Sequence, residues 1–227
     1  MSKNLFITGT GTDVGKTYVT GLVIKKLRES GGEAAYYKAA MSGNERRADG
    51  SLIPGDALSV KEVSGIAQPL EKMCPYIYEN AYSPHLAARI EGGPVELSVV
   101  LEGFRKVSEA YDYVTVEGSG GILCPIRYDE ERIMLEDVIK ALDLSCLLVA
   151  DAGLGTINSV VLTVTYMRAR NIPVVGMIFN RFHPGDVMEE DNIRMCEELT
   201  GLKTLACVRE GDRELSMDAR ALRELYS

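Results

Sequence analysis

Gly9-Thr10-Gly11-Thr12-Asp13-Val14-Gly15-Lys16-Thr17 lies between the apolar run Leu5-Phe6-Ile7 and the stretch 18–27, where apolar residues recur at helical spacing. A short strand, a glycine-rich turn ending in Gly-Lys-Thr, and a helix build a phosphate cradle. Backbone N–H groups at the helix start point at the anion, and the helix dipole favours it. In such a loop Lys16 reaches the β and γ phosphates and the Thr17 hydroxyl is placed to ligate Mg²⁺. The strict form G-x-x-x-x-G-K-[ST] wants glycine at position 10, where this chain has Thr10 between Gly9 and Gly11. An ordinary strand-to-helix turn is the alternative, and the strand and helix on either side argue against it.

Outward from the loop, short apolar runs alternate with helical patterns. Strands are expected over 4–8, 34–38, 113–117, 146–151, 174–180 and 204–207, and helices near 16–30, 57–65, 97–111, 135–142, 157–170 and 189–200. The pattern predicts one α/β domain over 1–227, a mostly parallel sheet with helices on both faces. Such sheets bind ligands at the carboxyl ends of their strands. Those ends carry the phosphate loop, then Lys38 with Ser42-Gly43, then Glu117-Gly118-Ser119-Gly120-Gly121, then Asp151 with the segment 153–158, and last Asn180-Arg181.

Composition narrows the function. The net charge of -8 and pI near 5.0 oppose binding to nucleic acid. No run approaches the ~18 apolar residues of a membrane span, and only Met1-Ser2-Lys3-Asn4 precedes the first strand, so neither a signal peptide nor a membrane partner is expected. Five scattered cysteines without C-x-x-C spacing read as reduced, mostly buried thiols of a cytoplasmic protein.

The chemistry concentrates on a few side chains. Mg²⁺ takes hard oxygen ligands and keeps several waters. Thr17 is one candidate ligand and Glu117, at a strand end, another. Asp56, in Gly55-Asp56-Ala57-Leu58, is as readily a helix cap as a third ligand on pattern alone. Lys38 is either a solvated strand end or a second cation beside Lys16, where charge develops on a transferring phosphoryl group. Asp13 is an acid inside a phosphate loop, and only a nearby cation offsets its repulsion; a substrate amine supplies one. His85 is expected in a loop or the core rather than in catalysis, His183 lies in a polar loop and carries no signal, and Glu189-Glu190-Asp191 is expected to be a solvated helix start.

Taken together these residues resemble dethiobiotin synthetase. That family carries the loop G-T-x-T-[DE]-V-G-K-T with the same offset, a strand ending in Lys before Ser-Gly, a Gly/Ser-Asp-Ala segment, Ser-Pro-His, Val-Glu-Gly-x-Gly-Gly and Gly-x-Ile-Asn. This chain presents them in the same order at 9–17, 38–43, 55–57, 83–85, 116–121 and 155–158. The resemblance implies conversion of 7,8-diaminononanoate, carbon dioxide and ATP to dethiobiotin, ADP and phosphate, through a carbamate and a carbamic–phosphoric anhydride. By motif position, it puts ATP on Gly11, Asp13, Val14, Gly15, Lys16, Thr17, Tyr18, Glu117, Gly118 and Gly120, with Asn180 at the adenine edge. Mg²⁺ falls to Thr17, Asp56 and Glu117. Lys16 and Lys38 stabilise phosphate and carbamate charge. Thr12, Asp13, Ser42 and Gly121 face the diamine or carbamate. Gly155 and Asn158 touch the substrate of the partner in a homodimer.

Three departures stand out: Asp13 where many members have Glu, Ala39 where Pro is usual, and 205–211 without the Ile-Pro of the nucleotide-facing loop. The last leaves the choice of base open. Competing readings fit less well. A related amidoligase needs a glutaminase domain for which 227 residues leave no room. A septum-placement or chromosome-partition ATPase switch places a second Lys early in the loop. A GTPase wants Asn-Lys-x-Asp rather than Asn180-Arg181-Phe182-His183. A bare nucleotide-binding module leaves Lys38 and Asp13 unexplained.

Overall fold

A computed structural model describes residues 2–227. In chain order the elements are β1 (Lys3–Gly9), α1 (Lys16–Glu29), β2 (Ala34–Lys38), β3 (Ala40–Met41), α2 (Gly55–Ser64), a 3-10 turn (Leu70–Lys72), β4 (Tyr76–Ile77), α3 (Pro84–Glu91), α4 (Leu97–Ala110), β5 (Tyr113–Glu117), β6 (Pro125–Tyr128), β7 (Arg132–Met134), α5 (Leu135–Leu142), β8 (Cys146–Asp151), α6 (Thr156–Ala169), β9 (Val174–Asn180), α7 (Val187–Thr200), β10 (Thr204–Val208) and α8 (Ala219–Arg223). Six strands form one sheet in the order β10-β9-β8-β1-β5-β2, and every neighbouring pair is parallel. The six expected strands are these six, each within a residue or two of its expected ends.

The apolar runs have a plain physical cause. A parallel sheet covered on both faces buries successive side chains on opposite sides. Leu5, Ile7, Ala34 and Tyr36 pack with Val19, Leu22 and Leu27 of α1 and Leu222 of α8. Phe6, Ala35, Tyr37, Val114 and Val116 pack the other way, against α4 and α5. Helices α6 and α7 cover Leu148, Ala150, Met177 and Phe179.

Parallel pairing brings all the carboxyl ends to one edge. β1 lies between β5 and β8, so the chain leaves β1 in one direction and later returns on its other side. Such a reversal opens a crevice at the strand ends. Register does the finer positioning: Ile7 and Lys38 are both the partners of Glu117 across β5. The exposed edge of β2 is covered by a side chain. Gln68 accepts from the Tyr36 N–H at 2.8 Å and donates to the Tyr36 carbonyl at 3.0 Å, an amide standing in for a neighbouring strand.

Five short elements fall outside the expectation, as do the 3-10 turn and α8. β3 pairs with β4, β6 forms a hairpin with β7, and α3 opens at Ser83-Pro84. Two- to four-residue strands carry too little periodicity to read, whereas Pro at the first helical position was a legible start. The long loop over 41–56 is folded on itself. Asn44, buried, donates to the carbonyls of Met41 and Tyr78 and accepts from the Gly55 N–H at 2.9 Å, which fixes the start of α2.

Among the described residues no helix is long and apolar enough to cross a membrane. The five cysteines are free; Cys74, Cys146 and Cys196 are buried. Glu189 departs from expectation: it is buried, accepting from the His183 N–H and facing its Nδ1, while Asp186 caps α7.

Candidate active site

The loop after β1 takes its shape from two residues with positive φ. Asp13 lies at φ 60, a region that Asp and Asn tolerate better than other side-chain-bearing residues. Gly15 lies at φ 88, and a Cβ there would stand 2.0 Å from Asn180 Nδ2, so only glycine fits. Asn180 donates to the Val14 carbonyl at 3.1 Å and ties the loop to the end of β9. Arg181 ties it a second time, donating to the Asp13 carbonyl while its Nε meets Asp151 at 2.6 Å. Gly15 brings no side-chain acceptor to the start of α1, and no acid lies in its first turn. The N–H groups and the positive end of the helix dipole face the cleft. Lys16 folds back to the Gly11 carbonyl at 2.7 Å. Burial, then the neighbouring Lys38, lower its pKa.

Beside this cradle two carboxylates, a hydroxyl and an ammonium converge. Lys38 Nζ is 2.6 Å from Asp56 Oδ2 and 2.7 Å from Glu117 Oε1. Thr17 donates to Glu117 Oε1 at 2.9 Å and reaches Asp56 Oδ1 at 3.4 Å. Tyr36 donates to Glu117 Oε2 at 3.0 Å. Lys38 and Glu117 are almost wholly buried. Burial alone would lower the Lys38 pKa, yet Glu117 and Asp56 outweigh it and hold the ammonium charged. Burial likewise opposes the Asp56 charge, and Lys38 reverses that, keeping the carboxyl below its ordinary value. Asp56 is no helix cap: Pro54 precedes α2, and the Asp56 side chain turns to Lys38 and Thr17.

A cleft of about 980 Å³ opens over these groups. Of the residues singled out from sequence, Thr12, Asp13, Gly15, Lys16, Thr17, Tyr18, Lys38, Ser42, Asp56, Glu117 and Gly120 line it. Gly11 and Gly121 meet each other just behind, and Gly118 is buried against Phe6 and Leu135. Ser42 donates to the Tyr82 carbonyl at 2.6 Å. Gly155 and Asn158 sit apart, exposed at the start of α6. His85 turns to the Ser83 hydroxyl at 2.9 Å, outside the cleft lining. The atypical 205–211 segment joins a turn in which Asp212 accepts from the Arg209 N–H at 2.9 Å, and the Asp212 carbonyl takes the Tyr18 hydroxyl.

Sequence reading gave no role to Tyr36, Arg181, Ser119 or Cys124, which all lie in or against the site, although it placed Ser119 and Arg181 at strand ends. Tyr36 was discoverable: it is two residues before Lys38 on one strand, and so on the same face. Cys124 offered no pattern, and burial pushes its thiol up to about 11.

The donor set fits a small hard cation. One hydroxyl and two carboxylates suit Mg²⁺, which keeps waters and takes few protein ligands. The Lys38 ammonium between the carboxylates shows that the spot favours positive charge.

Comparison with known proteins identifies relatives over the whole chain. The profile of the AAA domain family covers residues 3–213. A protein of Brachyspira hyodysenteriae described as ATP-dependent dethiobiotin synthetase BioD is 47% identical over 227 residues, 100% of both chains. One of Clostridium perfringens with the same description is 43% identical over 225 residues, covering 99% of this chain and 98% of that one. Among solved structures, the MinC:MinD cell division complex of Aquifex aeolicus aligns with a TM-score of 0.58 at 12% identity, covering 93% of this chain and 83% of that one. MinD of Pyrococcus horikoshii, complexed with Mg-ADP, aligns at 0.54 and 15% identity, over 99% and 94%. At such identities the structural likeness shows the P-loop fold alone.

Proposed function

The chain belongs to the ATP-dependent dethiobiotin synthetase family, and on that premise we propose how its cleft makes dethiobiotin. The protein is an ATP-dependent ligase of biotin biosynthesis that forms carbon–nitrogen bonds. The observation that carries the detailed reading is the meeting of Lys38, Asp56, Glu117 and Thr17 beside the phosphate cradle.

ATP lays its triphosphate over the start of α1. Lys16 exchanges the Gly11 carbonyl for the β and γ phosphates. Asn180, its amide oriented by the Val14 carbonyl, faces the adenine edge. Thr17, Asp56 and Glu117 would hold Mg²⁺, which when bound neutralises phosphate charge and fixes its orientation. 7,8-Diaminononanoate enters beside Thr12, Asp13, Ser42 and Gly121. The Asp13 carboxylate offsets a substrate ammonium that in turn relieves its repulsion of phosphate. Carbon dioxide adds to the free amine, which loses a proton and becomes a carbamate. A carbamate oxygen attacks the γ phosphorus, ADP leaves, and a carbamic–phosphoric anhydride forms. The second amine, deprotonated, attacks the carbonyl carbon, expels phosphate and closes the cyclic urea. Lys38 and Lys16 lie where negative charge builds on the transferring group, and fixed charges there need no reorganisation as the reaction proceeds.

The active unit is a homodimer of single-domain chains. In support, Leu154, in the turn before α6, and Leu162, within it, are 90% and 62% exposed and flank the exposed Asn158 in sequence. A second copy laid on that end of α6 brings Gly155 and Asn158 to its partner's diamine. The free, mostly buried thiols agree with a cytoplasmic location.

Phosphate release by the purified protein with ATP, Mg²⁺ and bicarbonate tests the reading. Release should depend on the diamine and yield dethiobiotin by mass. Release indifferent to the diamine would point instead to an ATPase switch.

A further inference from the structure

The Glu117 carboxylate is held from two sides, and only one faces the cleft. Oε1 accepts from Thr17 and Lys38, while Oε2, among the described residues, has the Tyr36 hydroxyl as its partner. Tyr36 is fully buried, its ring packed in the core formed by β1, α1 and α2. Its backbone is pinned in both directions by the Gln68 amide at 2.8 and 3.0 Å. A free phenol keeps its proton at neutral pH, its ordinary pKa being about 10, and an ionised carboxylate only accepts. The hydroxyl therefore stays protonated and can only donate to the carboxylate.

A carboxylate held through one oxygen alone can turn about its terminal bond, because that torsion is broad. A donor on the second oxygen removes the freedom. We infer that Tyr36 is a positioning residue: it fixes the plane of the Glu117 carboxylate so that Oε1 is presented beside Thr17 to the cation. The inference rests on the proposed assignment of Glu117 as a metal ligand. Donors that orient a ligand in this way typically change metal affinity about 10-fold or more when removed.

The test reads metal binding directly. Mn²⁺ is titrated into protein saturated with ADP, and free Mn²⁺ is followed by electron paramagnetic resonance. Glu117→Gln should weaken Mn²⁺ binding, and Tyr36→Phe should weaken it roughly 10-fold. The double variant should bind no worse than Glu117→Gln, because Tyr36 acts through that carboxylate. Replacing Tyr36 by 4-fluorophenylalanine restores the volume of the lost oxygen without a donor, and should bind Mn²⁺ as weakly as Tyr36→Phe. That analogue also provides the measurement if the smaller ring disturbs folding. Wild-type affinity in Tyr36→Phe, with Glu117→Gln impaired, would overturn the inference and spare the metal assignment. Undiminished affinity in Glu117→Gln would overturn both.

Discussion

Two buried glutamates in this protein are each held by a tyrosine and a cation, and they do opposite things. Glu136, on α5, receives the Tyr166 hydroxyl at 2.8 Å and the Arg170 guanidinium at both oxygens, with Lys140 3.6 Å away. Glu117, on β5, receives Tyr36, Lys38 and Thr17. The Glu136 set joins two helices and lies apart from the cleft over Lys38. Arginine grips the carboxylate through a rigid, planar fork, and an exchangeable site has no use for that grip. At Glu117 the cation is lysine, a compact point charge on a flexible stem, and its other contact is a second carboxylate. An ammonium there can give way to a metal ion and turn to a phosphoryl group. The choice of cation separates a clasp from a working site.

The largest test of that contrast is Lys38→Met. Turnover should fall by ~10²–10³, the usual cost of one preorganised charge stabiliser. Two facing carboxylates also lose their counter-charge, which for a buried pair costs about 3–5 kcal/mol. Mg²⁺ should restore much of the lost stability by occupying the same spot. Thermal unfolding with and without Mg²⁺-ADP reads this, and a variant that Mg²⁺ leaves untouched would break the comparison. Asp56→Asn is the intermediate case. Activity titrated against Mg²⁺ should show a raised requirement, because a neutral amide is a poorer ligand for a hard cation; a role confined to the helix start would leave the titration unchanged, since Asn caps as well as Asp.

The smallest effect belongs to Arg170→Ala. It should cost about 1–2 kcal/mol of stability, leave turnover and the Mg²⁺ requirement alone, and gain nothing from Mg²⁺. The same variant carries a pH signature. The Arg170 hydrogen bonds hold the Glu136 carboxyl below its ordinary value. That contribution is complete above the unfolded glutamate pKa of about 4.3 and is lost as pH falls through the lower folded value. The stability gap between wild type and Arg170→Ala should therefore narrow on acidification below pH ~4. A gap constant with pH would mean that Arg170 stabilises by packing its stem.

How much is legible in the sequence follows from the range of its signals. The alternation of apolar runs disclosed the six strands, because a doubly covered sheet demands continuous apolar segments. The phosphate loop disclosed itself through glycines that a tight anion-binding turn requires. The short hairpin and the β3–β4 pair were missed because they are too brief to carry a period, whereas α3 was missed although Ser83-Pro84 marks a legible start. Asp56 could be read two ways because a helix cap and a cleft-facing carboxylate share one local sequence; only its placement against Lys38 and Thr17 separates them. Fold likeness alone would not have disclosed the class, since the two MinD structures align at only 12% and 15% identity, whereas the likeness over the whole sequence is to dethiobiotin synthetases.

By itself the sequence determined the α/β class, the phosphate cradle and the inventory of charged groups at the strand ends, because these depend on local pattern and residue chemistry. Tertiary structure decided which of those groups meet. Glu117 lies 79 residues from Lys38 and 100 from Thr17, and only the parallel register of β2, β1 and β5 brings them within hydrogen-bonding distance. Tyr36 gained its role the same way: strand alternation put it on the Lys38 face, but packing from both sides was needed to aim its hydroxyl at one oxygen of one carboxylate.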